Sequence, residues 1–256
     1  MTASETQAHK RRTGVTALLV VLSLGALAVL LALGTWQVQR LHWKEDLIAT
    51  IDARITSEPR SLEDVQTRLT TTGDVDYWPV TVGGEFRHEG ERHFFATHKG
   101  RSGYFVYTPL QLDGGRFIFI NRGFVPFELK EAEMRPEGQV EGRRTITGLA
   151  RNRLDAKPSF IVPDNDPSKN VFYWKDLGTM AATSGVGAAE DYLPFFIDAD
   201  DAPNPGGLPV GGVTIIEQPN NHLQYAVTWY GLAAALVAVL GAWLWRQRRA
   251  RVADAG

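Results

Sequence analysis

The chain has 256 residues, a formal net charge of −2 and no cysteine. That charge gives no basic footprint for nucleic acid. The missing thiols exclude disulfides, thiolate catalysis, CxxC redox chemistry and cysteine metal sites.

Residues 1–14 form a short tail carrying Lys10, Arg11 and Arg12, and Val15 to Trp36 follows without a single charge. At ~1.5 Å per residue that run makes a helix of roughly 30 Å, the thickness of a hydrocarbon core. A second uncharged run, Tyr225 to Trp245, precedes a tail with Arg246, Arg248, Arg249 and Arg251. Neither run has the polar stripe of a soluble helix, so both are expected to span a membrane, over 15–36 and 223–245. Aromatic rings stand at their ends: Trp36 and Trp43 on the first, Tyr225, Trp229, Tyr230, Trp243 and Trp245 on the second. Such rings sit at membrane–water interfaces. Basic flanks assign the tails, 1–14 and 246–256, to the cytoplasmic side, and an even number of spans puts 37–222 outside. A cleaved signal peptide ending at Ala26-Leu27-Ala28 is the rival, but the apolar run continues past it to Leu33, so an uncleaved anchor is expected.

Leu41 to Ile55 extends the first helix beyond the membrane until Pro59, and Asp64 to Thr70 reads as a second short helix or turn. From Pro79 the period changes to two. Val80, Val82 and Phe86 predict a strand with a bulge at Gly83-Gly84, turned at Glu89-Gly90 and returned over Arg92 to His98. Tyr104–Leu112 and Arg116–Asn121 are the clearest pair, joined at Asp113-Gly114, a combination suited to a tight hairpin. Thr145–Ala150, Phe195–Asp198 and Val213–Glu217 are further strands, and Asp176–Thr183 a short helix. Pro163–Lys169 and Ala202–Gly212 are loops. The expected fold class is an α+β membrane protein: two transmembrane helices flanking an antiparallel β-rich, barrel- or sandwich-like extracytoplasmic domain.

His88, His93 and His98 recur every fifth residue, which on one strand puts neighbours on opposite faces. They read as solvated strand histidines, with no acidic residue placed to complete a metal site. No nucleophile elbow, HExxH or phosphate loop is present, so nothing in the sequence indicates an enzyme. Asn121 to Pro126 reads as a structural corner, Gly123 taking a backbone angle other residues avoid and Pro126 ending the ladder. Arg122 there is a candidate for presentation to a partner.

The stretch Pro219 to Trp229 is the most informative. On a helix, His222, Tyr225, Ala226 and Trp229 fall on one face at the outer mouth of the second span. Residue types alone leave two readings: an interfacial histidine among headgroups, which is the default, or an imidazole that ligates an iron porphyrin packed on aromatic rings. Gln37, Arg40 and Trp43 stand just above the same interface on the first span. Arg40 suits a lipid phosphate by default, or a porphyrin propionate. Small residues, Ala28 and Ala32 on one helix and Ala234, Ala238 and Ala242 on the other, are expected to let the spans approach closely.

The chain resembles the Surfeit locus protein 1 family of cytochrome c oxidase assembly factors. The resemblance rests on Leu33-Gly34-Thr35-Trp36-Gln37 with Arg40-Leu41 and Trp43-Lys44, on Gly84-Glu85-Phe86, and on Gly103-Tyr104 before Thr108-Pro109-Leu110. It continues through Asn121-Arg122-Gly123-Phe124-Val125-Pro126 and Asn220-Asn221-His222-Leu223-Gln224-Tyr225-Ala226 with Thr228-Trp229. Phe124 stands where the family commonly has Trp. The resemblance implies a non-enzymatic role in maturing oxidase subunit I, with haem a as the bound cofactor and His222 as its candidate iron ligand. Tyr225 and Trp229 would then pack the ring and Arg40 would meet a propionate. Subunit I and the haem a synthase are the implied partners, besides the lipid bilayer. The alternative is a scaffold that stabilises immature subunit I without binding haem. With no cysteine, and methionine only at positions 1, 134 and 180, a soft-ligand copper site is not expected. Glu5 in the first tail is unlike a transit peptide, which favours a bacterial inner membrane.

Overall fold

The structure, a computed structural model, describes residues 3–214, 216 and 219–253, with side chains over 14–214, 216 and 219–250. The chain divides into a helical unit, Met1–Ala49 with Glu217–Gly256, and a β-rich unit, Thr50–Ile216.

Helix α1 (Ala3–Ile55) is unbroken, so the predicted extension beyond the first apolar run is formed. The chain returns in its last long helix, His222–Ala253. Both are long and apolar enough to cross a membrane, and the protein is a membrane protein. Their less exposed positions follow a repeat of threes and fours: Ser23, Leu27, Leu30, Gly34, Gln37 and Leu41 on α1, His222, Ala226, Trp229, Ala233, Leu236, Leu240 and Trp243 on the returning helix. Gln37 meets His222, while Leu19 and Ser23 share a small cleft with Leu236, Leu240 and Trp243. The two helices therefore run antiparallel along a seven-residue seam, the repeat of left-handed helix packing. The small-residue expectation is corrected here. Ala28, Ala32, Ala234, Ala238 and Ala242 are all exposed, because rows of fours wind off such a seam. Ser23, Gly34, Ala226 and Ala233 are small residues that lie in it.

In the β-rich unit, α2 (Leu62–Thr72) starts at Ser61, whose Oγ accepts the Asp64 N–H, and stops at left-handed Gly73. Six strands follow: β1 (Pro79–Phe86), β2 (Arg92–His98), β3 (Arg101–Leu112), β4 (Phe117–Pro126), β5 (Arg143–Asn152) and β6 (Tyr192–Ala199). Their order is β1-β5-β6-β4-β3-β2, and β1 pairs with β3 as well, which closes five strands into a barrel with β2 added outside. All pairs are antiparallel except β4 with β6. The short helix predicted near Asp176 is α3 (Leu177–Thr183), with Asp176 accepting the Thr179 N–H. The last helix is accordingly α4.

Every residue of β4 is buried. Ile118 and Ile120 join Val80, Leu110, Leu193 and Ile197 in one apolar cluster. Phe117 and Phe119 point to a second with Tyr107, Phe172, Met180 and Phe196. Alternation on one strand thus feeds two cores, the second covered by α3.

Three strand expectations change. Gly83 and Gly84 form no bulge; the β1–β5 register runs through them without a shift. Gly84 is glycine because β3 closes onto it: a Cβ would lie 2.4 Å from the Gln111 carbonyl oxygen. β2 does not return along β1; it pairs with β3 instead, since His88–Gly90 is one turn of 3₁₀ helix that redirects the chain. No strand is formed at Val213 or Thr214, and residues 215 and 217 of that expectation lie outside the described residues.

Candidate functional site at the helix pair

His222 is the first residue of α4. Asparagines precede it, as befits a helix start: its N–H donates to Asn220 Oδ1 at 3.3 Å, and the Asn221 carbonyl accepts from the Tyr225 N–H. The imidazole is half-buried, with Nδ1 2.7 Å from Gln37 Oε1 of α1. Gln37 is only 8% exposed. An amide oxygen accepts and does not donate, so Nδ1 carries the proton and Nε2 of the neutral ring keeps the lone pair.

One turn on, Ala226 is 2% exposed, and half-buried Trp229 continues the seam. Tyr225 lies off it, 54% exposed. Tyr230 fills the inter-helix position instead: its ring covers Gly34 and its hydroxyl is 3.1 Å from Thr35 Oγ1. Arg40 is exposed, its guanidinium 4.2 Å from the centre of the Trp43 ring. The helix pair therefore brings His222 and Trp229 together on the seam and leaves Tyr225 and Arg40 at its outside. Sequence reasoning placed Gln37 at the interface without a role. The signal that finds it is the shared phase of both helices, Gln37 three residues past Gly34 and His222 four before Ala226.

One imidazole above a small residue and an indole is a donor set for an iron porphyrin, which brings four nitrogens of its own. It does not suit a bare ion, which needs several protein ligands. No group of three or more His, Asp or Glu ligands forms among the described residues.

The β-rich unit holds a second polar region, and it corrects the histidine reading. His93 is buried, with Nε2 2.9 Å from Glu91 Oε1, and Arg135 pairs with the same carboxylate. His88 Nε2 donates to the Val140 carbonyl, 2.8 Å away, and His98 packs by the Phe124 ring. His93 is therefore shielded rather than solvated, while His88 and His98, at the 3₁₀ turn and at the end of β2, are half-buried. Glu91 is the acidic partner that spacing alone did not supply. Burial would raise the Glu91 pKa, but hydrogen bonds from His93 and Arg135 outweigh it and hold the carboxyl below its ordinary 4.5. Burial pulls the His88 pKa down.

Arg122 is likewise not presented to a partner. It is 2% exposed and donates to the Gly138 carbonyl and to Asn204 Oδ1. Burial lowers its pKa to about 10, so it stays charged at neutral pH. The corner reading of its neighbours is borne out: Gly123 has φ 125° and Pro126 ends β4. Arg122 and Phe86 border a cleft of ≈ 330 Å³ with Arg144, Thr147 and Asn204. Thr147 lies against Thr81, and no imidazole lines the cleft.

Residues 24–234 match the SURF1 family. The chain is 39% identical over 225 residues to a Surfeit locus protein 1 of Rattus norvegicus, covering 81% of this chain and 70% of the relative. It is 37% identical over 220 residues to Surfeit locus protein 1 of Homo sapiens, covering 79% and 70%. A SURF1-like protein of Monosiga brevicollis is 36% identical over 234 residues, covering 86% and 84%.

Proposed function

The chain belongs to the SURF1 family, and from that premise we propose that it is a non-enzymatic assembly factor for a haem-copper oxidase that binds haem a and aids its insertion into subunit I. The observation that carries this reading is the setting of His222: an imidazole at the mouth of a membrane helix pair, its Nδ1 engaged by Gln37 and its Nε2 left as the basic nitrogen. That nitrogen is the one that would hold a haem iron. Trp229 offers an apolar flank. Tyr225 and Arg40 lie on the outside of the pair, so each would have to turn toward a bound ring, Arg40 leaving the Trp43 ring to meet a propionate.

The proposed address is a bacterial inner membrane with both tails cytoplasmic. Lys10 to Arg12 and Arg246 to Arg251 support that orientation. The β-rich unit would then be periplasmic and dock on subunit I or on a haem a synthase. Phe160, 92% exposed at a loop tip beside Ile161, suits such a contact.

One observation favours the alternative of a scaffold that binds no haem. The Gln37–His222 bond also pins α1 to α4 and gives the histidine a structural use. The visible spectrum of the full-length protein, purified from cells that make haem a, separates the two. Haem should copurify with the wild type and be lost in His222→Ala. A wild type without haem, or an unchanged spectrum in His222→Ala, ends the ligand reading.

A further inference from the structure

We propose that Gln37 is a positioning residue that sets the tautomer and donor strength of His222; the inference rests on the haem-ligand reading above. The two groups stand on different helices, 2.7 Å apart, and Gln37 is buried in the seam. A ligating histidine is oriented through its second nitrogen, and the partner there decides how basic the first becomes. A carboxylate pulls the Nδ1 proton hard and gives the ring imidazolate character. Gln37 offers a neutral amide oxygen, a weaker acceptor. It holds the ring in the Nδ1–H form while leaving Nε2 a moderate donor. That strength fits a protein that must give its cargo up. The bond also crosses between helices, so the ligand is oriented only while α1 and α4 are paired. Separating them by a few ångströms breaks the bond and weakens the site without altering His222 itself.

The test uses the full chain in lipid nanodiscs with Gln37→Met, close in shape but only a weak acceptor, and Gln37→Glu. In the haem-free protein, ¹⁵N-histidine NMR should show His222 as the Nδ1–H tautomer in the wild type and a shift toward Nε2–H in Gln37→Met. With haem a added, Gln37→Met should bind roughly tenfold more weakly. Gln37→Glu should raise the ferrous iron–histidine stretching frequency and lower the reduction potential. An unchanged tautomer in Gln37→Met, or no change of frequency and potential in Gln37→Glu while His222→Ala loses haem, overturns the role of Gln37 alone. Retention of haem by His222→Ala overturns the reading beneath it, and the NMR result then still decides whether Gln37 sets the tautomer.

Discussion

Gly34 lies against the face of Tyr230: a Cβ at position 34 would sit 2.9 Å from Cε1 and Cζ of that ring. The close approach sets the spacing of the two helices one turn below the Gln37–His222 bond. Gly34→Leu should force the ring aside and cost about 1–3 kcal/mol of helix-pair stability. On the proposed haem-ligand role, the Gly34→Leu protein should also hold haem roughly tenfold more weakly, because the widened seam carries Gln37 away from His222. Thermal unfolding in detergent and the haem-to-protein ratio check both. Gly34→Ala, which a small rotation of Tyr230 accommodates, should fall between.

The seam itself can be tested by leucine substitution. Ala226→Leu and Ala233→Leu add bulk at buried positions and should separate the helices. Ala28→Leu and Ala32→Leu add it at exposed ones and should leave the unfolding temperature nearly unchanged. Engineered cysteines in place of Leu30 and Ala233 would report the separation by their cross-linking yield.

Acid should loosen the β-rich unit through Glu91. Its carboxyl is held below 4.5 in the folded protein, so the stabilisation it contributes is complete above that pH. It is lost as pH falls through the lower folded value, where the carboxyl takes up a proton and the hold on His93 and Arg135 goes. Glu91→Gln should remove this acid sensitivity. It should also cost about 3–5 kcal/mol at neutral pH, since Arg135 is left buried without its counter-charge. Circular dichroism melts from pH 7 down to 3 would show both effects.

At the β4 corner, Gly123→Ala should unfold the β-rich unit or lower its stability by more than about 3 kcal/mol. The added Cβ would meet the Val210 carbonyl oxygen at 1.9 Å, and φ is 125°. Arg122→Met should cost about 2–4 kcal/mol by a different route, leaving the Gly138 carbonyl and Asn204 without their donor. Gly123→Ala should also break the Phe124–Val210 bonds, so hydrogen exchange at those two amides distinguishes it from Arg122→Met.

Local patterns were the legible part of this chain. Uncharged runs marked both membrane helices, and alternation marked β3 and β4, because each signal is complete within one segment. What escaped was decided by segments far apart in sequence. Gly84 looked like a bulge until β3 arrived beside it at Leu112. His93 looked solvated until Glu91 turned back on it and Arg135 came in from the loop before β5. At the candidate site, helical phase alone put Tyr225 on the His222 face. Pairing with α1 selects the narrower stripe through Ala226 and Trp229, with Tyr230 across from Gly34. Which residues share a face is a property of one helix; which face is used is a property of two.

Three short segments cover strand backbone that the barrel would otherwise leave open. Residue Arg60 bonds to the free side of β1 at Pro79 and Thr81, Phe172 to β2 at His93 and Phe95, and Val210 to β4 at Phe124. A strand added at one of these places would have to displace the short segment first. At these three places the unit presents side chains and loops to its surroundings rather than an open hydrogen-bonding rim.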